Sequence, residues 1–123
     1  MARRKEEKKK IRKIGHSDLD GWGDTMQIWV ERNVAYVGAS GDGKHEGTTI
    51  LDVANPKKPE VIARIPAPQN THSHKVRVRD GIMVVNNEFL RGSDGSGFVP
   101  GVRVYDVSSP KKPRLITTFK TGG

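Results

Sequence analysis

This chain repeats itself, and the repeat limits the folds open to it. Residues 49–65 lay over 103–119, with Asp52 on Asp106, Pro56 on Pro110 and Pro59 on Pro113, each pair 54 positions apart. Upstream, residues 30–37 lay over 78–85 at an offset of 48, so a six-residue insertion falls between Asn86 and Gly101. A period of about 50 residues made of short strands is the signature of a propeller-type array.

Each unit resolves into four strands. The pattern predicts them near 25–31, 34–38, 48–53 and 60–65 in the first unit, and near 74–79, 82–87, 102–107 and 114–119 in the second. Alternation puts Met26, Ile28 and Val30 on one face, as it does Val76 and Val78, and Val61, Ala63 and Ile65. The second strands, 34–37 and 82–85, are continuously apolar, as expected of strands covered on both faces. Asn33 and Asp80-Gly81 suit tight hairpins that need positive φ. Asp52 and Asp106 can accept backbone N–H bonds where the chain turns, and the prolines that follow stiffen the turn.

Composition narrows the class. Only 33% of the 123 residues are hydrophobic, which is little for a self-sufficient core. There is no cysteine, so disulfides and thiolate-held metals are excluded. No apolar run approaches the roughly 18 residues of a membrane span, and no apolar stretch follows the basic N-terminus as in a secretory signal. A cytoplasmic protein is the default expectation. The net charge of +8 sits mostly on the tail: residues 1–14 carry eight Lys and Arg against Glu6 and Glu7. The other 109 residues hold 14 basic and 12 acidic side chains, so the body is close to neutral. The tail is expected to be disordered or partly helical. It could attract nucleic acid nonspecifically, but no aromatic interleaves its basic residues to stack bases.

The segments Leu51–Pro59 (LDVANPKKP) and Tyr105–Pro113 (YDVSSPKKP) resemble the LVIVD-repeat proteins, whose repeats are similar to propeller blades. Gly15-His16-Ser17-Asp18 resembles a segment that precedes the first blade in such proteins. The resemblance covers about residues 15–119. It implies an all-β fold of two four-stranded antiparallel blades of an incomplete β-propeller behind a basic N-terminal tail, and says almost nothing about activity. The expected organisation is a tail at 1–14, a first blade with its preceding link at 15–72, and a second blade at 73–123. Closed propellers have about four to eight blades, so further blades are expected from the same or another chain. A ring of several copies, or a sandwich standing alone, are the alternatives.

Topology then sorts the chemistry. In an antiparallel meander the first–second and third–fourth turns lie at one end, and the second–third loops and the links between blades at the other. That second end receives all four histidines, His16, His45, His72 and His74, and the acids Asp18, Asp20, Asp24, Asp42, Glu46, Glu88 and Asp94. The opposite end carries Arg32, Lys57, Lys58, Lys111 and Lys112. Imidazole and carboxylate together suit a divalent metal, the candidate cofactor. His72 and His74 are two apart on an extended segment and share a side. With His16 in the equivalent link, they form the expected metal set, and Trp22, Asp24 and Glu88 are the candidate ligand-binding residues. Polar loops with hydrogen-bonding histidines are the plain alternative.

Other motifs are weaker. The glycine loops at 41–43 and 92–97 lack EF-hand or Walker spacing, His45-Glu46 lacks a second histidine in helical register, and Ser73 lacks a nucleophile elbow. Trp29 is expected in the core. The leading expectation is a non-enzymatic repeat scaffold offering its His/acid-rich face to a protein or small ligand. The alternatives are a metal-dependent enzyme using that face, and a nucleic-acid contact through the tail.

Overall fold

A computed structural model describes residues 10–22, 24–40 and 44–121. The expectations for most of the tail (residues 1–9) and for the 41–43 glycine loop fall outside the described residues. Strands β1 (Thr25–Glu31), β2 (Val34–Ala39), β3 (Gly47–Asp52) and β4 (Glu60–Pro66) form one antiparallel sheet in sequence order. The second sheet contains β5 (Thr71–His72), β6 (Val76–Arg79), β7 (Ile82–Phe89), β8 (Gly101–Asp106) and β9 (Arg114–Lys120). Both β5 and β6 pair with β7, so they are two pieces of one interrupted first strand, followed by the meander β7-β8-β9. The described residues form no α-helix; one short 3-10 turn spans Leu19–Gly21. Among the described residues no helix is long and apolar enough to cross a membrane.

The hairpin turns follow from their residues. Arg32 and Asn33 have φ of 50° and 63°, and Asp80 and Gly81 have 50° and 78°, which matches the right-handed strand twist. Asp52 Oδ1 accepts from the Ala54 N–H and Asp106 Oδ1 from the Ser108 N–H, each at 2.9 Å. Gly47 and Gly101 occupy equivalent positions with φ of 133° and 131°; a Cβ there would run into the Ile65 and Phe119 carbonyls respectively.

One expectation about facing is corrected. Val61, Ala63 and Ile65 do not share a face, because the β3–β4 register shifts between Ile50 and Leu51. Ala63 and Ile65 pack into the core between the sheets, whereas Val61 packs on the outer face with Leu51. The same shift recurs at the equivalent place in the second sheet, between Val104 and Tyr105. A bulge of this kind admits one unpaired residue and sharpens the local twist.

The sheets pack face to face, with their first strands β1 and β6 adjoining. Tyr36, Ile50 and Ile65 of the first meet Val76, Val78, Met83, Val85, Tyr105 and Val107 of the second. Two side chains on β1 stitch the seam: Gln27 Oε1 accepts from the Val76 N–H at 2.8 Å, and Glu31 Oε1 from the Asp80 N–H at 3.2 Å. Trp29 lies at this seam, with the Arg77 guanidinium 5.3 Å from its ring centroid, and is exposed. It is therefore not the core residue expected from its apolar strand, because β1 is an edge strand.

The outer face of the first sheet is covered by the segment leading into β1. Leu19 buries against Ala35, Val37 and Leu51, with Trp22 beside it. Arg64 clamps this segment by donating to the Leu19 carbonyl at 2.6 Å and lying over the Trp22 ring at 4.5 Å. Among the described residues the outer face of the second sheet has no such cover: Phe119 is 64% exposed, although its equivalent Ile65, on the inner face of the first sheet, is buried against the second.

Candidate functional site

Between β5 and β6 three residues, 73–75, stand opposite two, Asn86 and Asn87, so the strand bulges where it carries the histidines. Bulges re-aim side chains, and this one lies against β2. Gly38 permits that approach: a Cβ there would collide with the His74 carbonyl. The result is a cluster of His72, His74 and Glu88, with one potential ligand atom from each lying within 4.8 Å of the other two. The imidazole centroids are 4.1 Å apart, with their planes inclined by 33°.

Each member is held differently. His72 Nδ1 lies 2.9 Å from Oε1 of the buried Glu46. A carboxylate accepts, so the proton in this contact sits on Nδ1, and in the neutral tautomer the Nε2 lone pair is left free. The other Glu46 oxygen accepts from the Ser73 N–H at 3.4 Å. His74 is 8% exposed, and its Nδ1 is buried with no hydrogen-bond partner. Burial pushes its pKa down and the neighbouring His72 pushes it further, against the pull of Glu88 and Glu46, so the neutral ring is favoured. Glu88 is exposed at the rim and accepts from Lys75 Nζ at 3.2 Å. Burial would push its carboxyl up, but the bond to Lys75 and the lysine charge outweigh that and hold it below the ordinary range.

Beneath the histidines lies a buried arginine. Arg103 donates from Nε to Asn87 Oδ1 at 2.9 Å, from Nη1 to the Tyr105 hydroxyl at 2.6 Å and from Nη2 to Ser73 Oγ at 2.9 Å. All three acceptors are neutral. Burial lowers its pKa, with the Tyr105 hydroxyl opposing. Through Ser73 this network holds the residue between the two histidines from below, while Glu46 holds it from the side.

The residues singled out from the sequence thus fare differently. His72, His74 and Glu88 come together, with Glu88 in the place expected of His16. His16 is not brought there: its neighbour Gly15 packs against the Pro56 carbonyl in the β3–β4 turn, at the opposite end of the sheet, and its own side chain is exposed. The reason is the covering segment, which starts at that far end and crosses the outer face so that Leu19 can bury. Trp22 lies between Arg64 and His45, whose ring centroid is 5.5 Å away, and serves this cover. Asp24 is an exposed turn residue with φ of 55°, its carbonyl accepting from the Ser40 N–H at 2.8 Å.

Glu46, Ser73, Asn87, Arg103 and Gly38 went unrecognised as site residues. Arg103 had a signal: a charged side chain where strand alternation demands an inward-facing residue. A cleft of about 560 Å³ opens at the other end, between the Arg32-Asn33 turn and 108–111. It gathers no histidine; Arg32, Asn33, Asp52 and Lys111 line it together with Val34, Ile62 and the 108–110 turn. The chain matches no protein-family model and no curated protein.

Proposed function

We propose that this chain is a binding scaffold: two blades of a propeller-type repeat array, resembling LVIVD repeats, that presents its histidine- and acid-rich end to a ligand or protein partner. One observation carries the reading. The face of the first sheet that is buried on its neighbour is built from Val34, Tyr36, Ile50 and Ile65; the same repeat positions in the second sheet are Ile82, Val84, Val104 and Phe119, and they form its uncovered outer face. A surface patterned like a buried interface is built to receive another sheet of the same kind. The first sheet is capped instead by its own leading segment, except for the β1 strip of Met26, Ile28 and Val30. The partners of this scaffold are a further blade, from the same or another chain, on the open face, and a ligand at the histidine end.

Sedimentation analysis of the chain over a range of concentrations tests this. Concentration-dependent association is expected, and Phe119→Glu, which places a charge on an already exposed position, should return the protein to monomer. A wild-type chain that remains a well-folded monomer at every concentration would overturn the array reading.

A further inference from the structure

We propose that His72, His74 and Glu88 bind a divalent metal ion, with Glu46 acting as the residue that orients His72. This deepens the reading of the histidine end as the ligand-binding end and rests on it. Four observations converge. The donor set is two imidazoles and a carboxylate, a combination that serves zinc and related ions. The buried Glu46 carboxylate fixes the proton of His72 on Nδ1 and leaves Nε2 to donate, the usual outer-sphere arrangement of metal-bound histidine. His74, nine-tenths buried, has a ring nitrogen with no partner, a buried unpaired atom that a bound ion would satisfy. Beside Glu88 a cation is already present, the Lys75 ammonium, on an exposed flexible stem that can swing away.

The fit requires little movement. Donors around a tetrahedral zinc stand about 3.3 Å apart, given bonds of about 2.0–2.1 Å. The present 4.8 Å spread closes with small rotations of Glu88 and the imidazoles, while the bulge, Gly38 and Arg103 hold the backbone. Three protein donors leave one position for water or a ligand, so the metal would be the means by which the scaffold end engages an oxygen- or nitrogen-bearing ligand. The unit-one counterparts of His72, His74 and Glu88 are Asp24, Met26 and Ser40, so the equivalent place in the first sheet does not repeat the donor set.

Calorimetric titration of the chain with zinc, paired with the visible spectrum of the cobalt(II) form, tests the proposal. One equivalent per chain is expected, with a cobalt spectrum of low coordination number. His72→Ala should abolish it, and Glu88→Gln, at an exposed position that does not threaten folding, should weaken it. Glu46→Gln should lower affinity by about 10–100-fold while leaving one site. His16→Ala and His45→Ala should change nothing. Absence of zinc and cobalt binding, or binding that survives His72→Ala and Glu88→Gln together, would overturn the site. Sedimentation is read separately: association retained without metal binding removes the metal site alone, and metal binding by a strict monomer removes the array alone.

Discussion

Offset by 48 or 54 positions, the two sheets agree wherever the backbone makes a demand. The turns at Arg32-Asn33 and Asp80-Gly81, the glycines at 47 and 101, and the bulges beyond Ile50 and Val104 coincide. Where chemistry gathers, they part. His72, Ser73 and His74 stand where the first sheet has Asp24, Thr25 and Met26; Glu88 replaces Ser40, and Arg103 replaces Thr49. Their surroundings differ too: one outer face is closed by Leu19 and Trp22, the other is bare. Features common to both copies are the requirements of the fold. Residues peculiar to one copy are free of those requirements, and that is where a specific site can be read.

The comparison can be tested in order of expected effect. Met83 and Ile28 lie on the same repeat face, one fully buried between the sheets and the other 61% exposed. Met83→Ala should cost about 2–5 kcal/mol in urea unfolding, through lost burial and the cavity left behind. Ile28→Ala should stay within about 0.5 kcal/mol. Equal costs would mean that the β1 strip is covered in solution.

Arg103→Leu against Thr49→Val comes next. The leucine leaves Asn87, Ser73 and Tyr105 without their donor in a buried setting, an expected loss of about 1–3 kcal/mol. Thr49 gives up only a 3.4 Å contact with Arg64, so its substitution should cost less. If Arg103→Leu is neutral, the network does not hold the 72–74 segment.

The smallest effect concerns pH. Ser108, through its hydroxyl and its backbone N–H, and then Arg114 lower the Asp106 carboxyl from 3.8 to about 2. A carboxyl with a depressed folded pKa binds fewer protons folded than unfolded, so its contribution is present above about 3.8 and lost as pH falls towards 2. Carbon-detected NMR titration should find Asp106 ionised at pH 3, and Asp106→Asn should flatten the stability profile in that window. An Asp106 that titrates near 3.8 would show that these bonds are not made in solution.

The meander order within each unit, the hairpin turns and the end of the sheets at which His72, His74 and Glu88 gather were legible in the chain, though β5 (Thr71–His72) was not. These follow from local rules: side-chain alternation, φ restrictions at turns, and the parity of a meander. The rest was set by packing. Val61 left the face of Ala63 because a bulge, invisible to alternation, changed the count of residues along β4. Trp29 is at an edge because neighbouring sheets, not its own strand, decide what is covered. His16 went to the far end because Leu19 and Trp22 had an apolar face to close. Glu46 and Arg103 became supports of the histidines because packing brought together residues 26 to 30 positions distant from them along the chain. Local preference acts over a few residues; which side chains meet is set by the burial of whole faces.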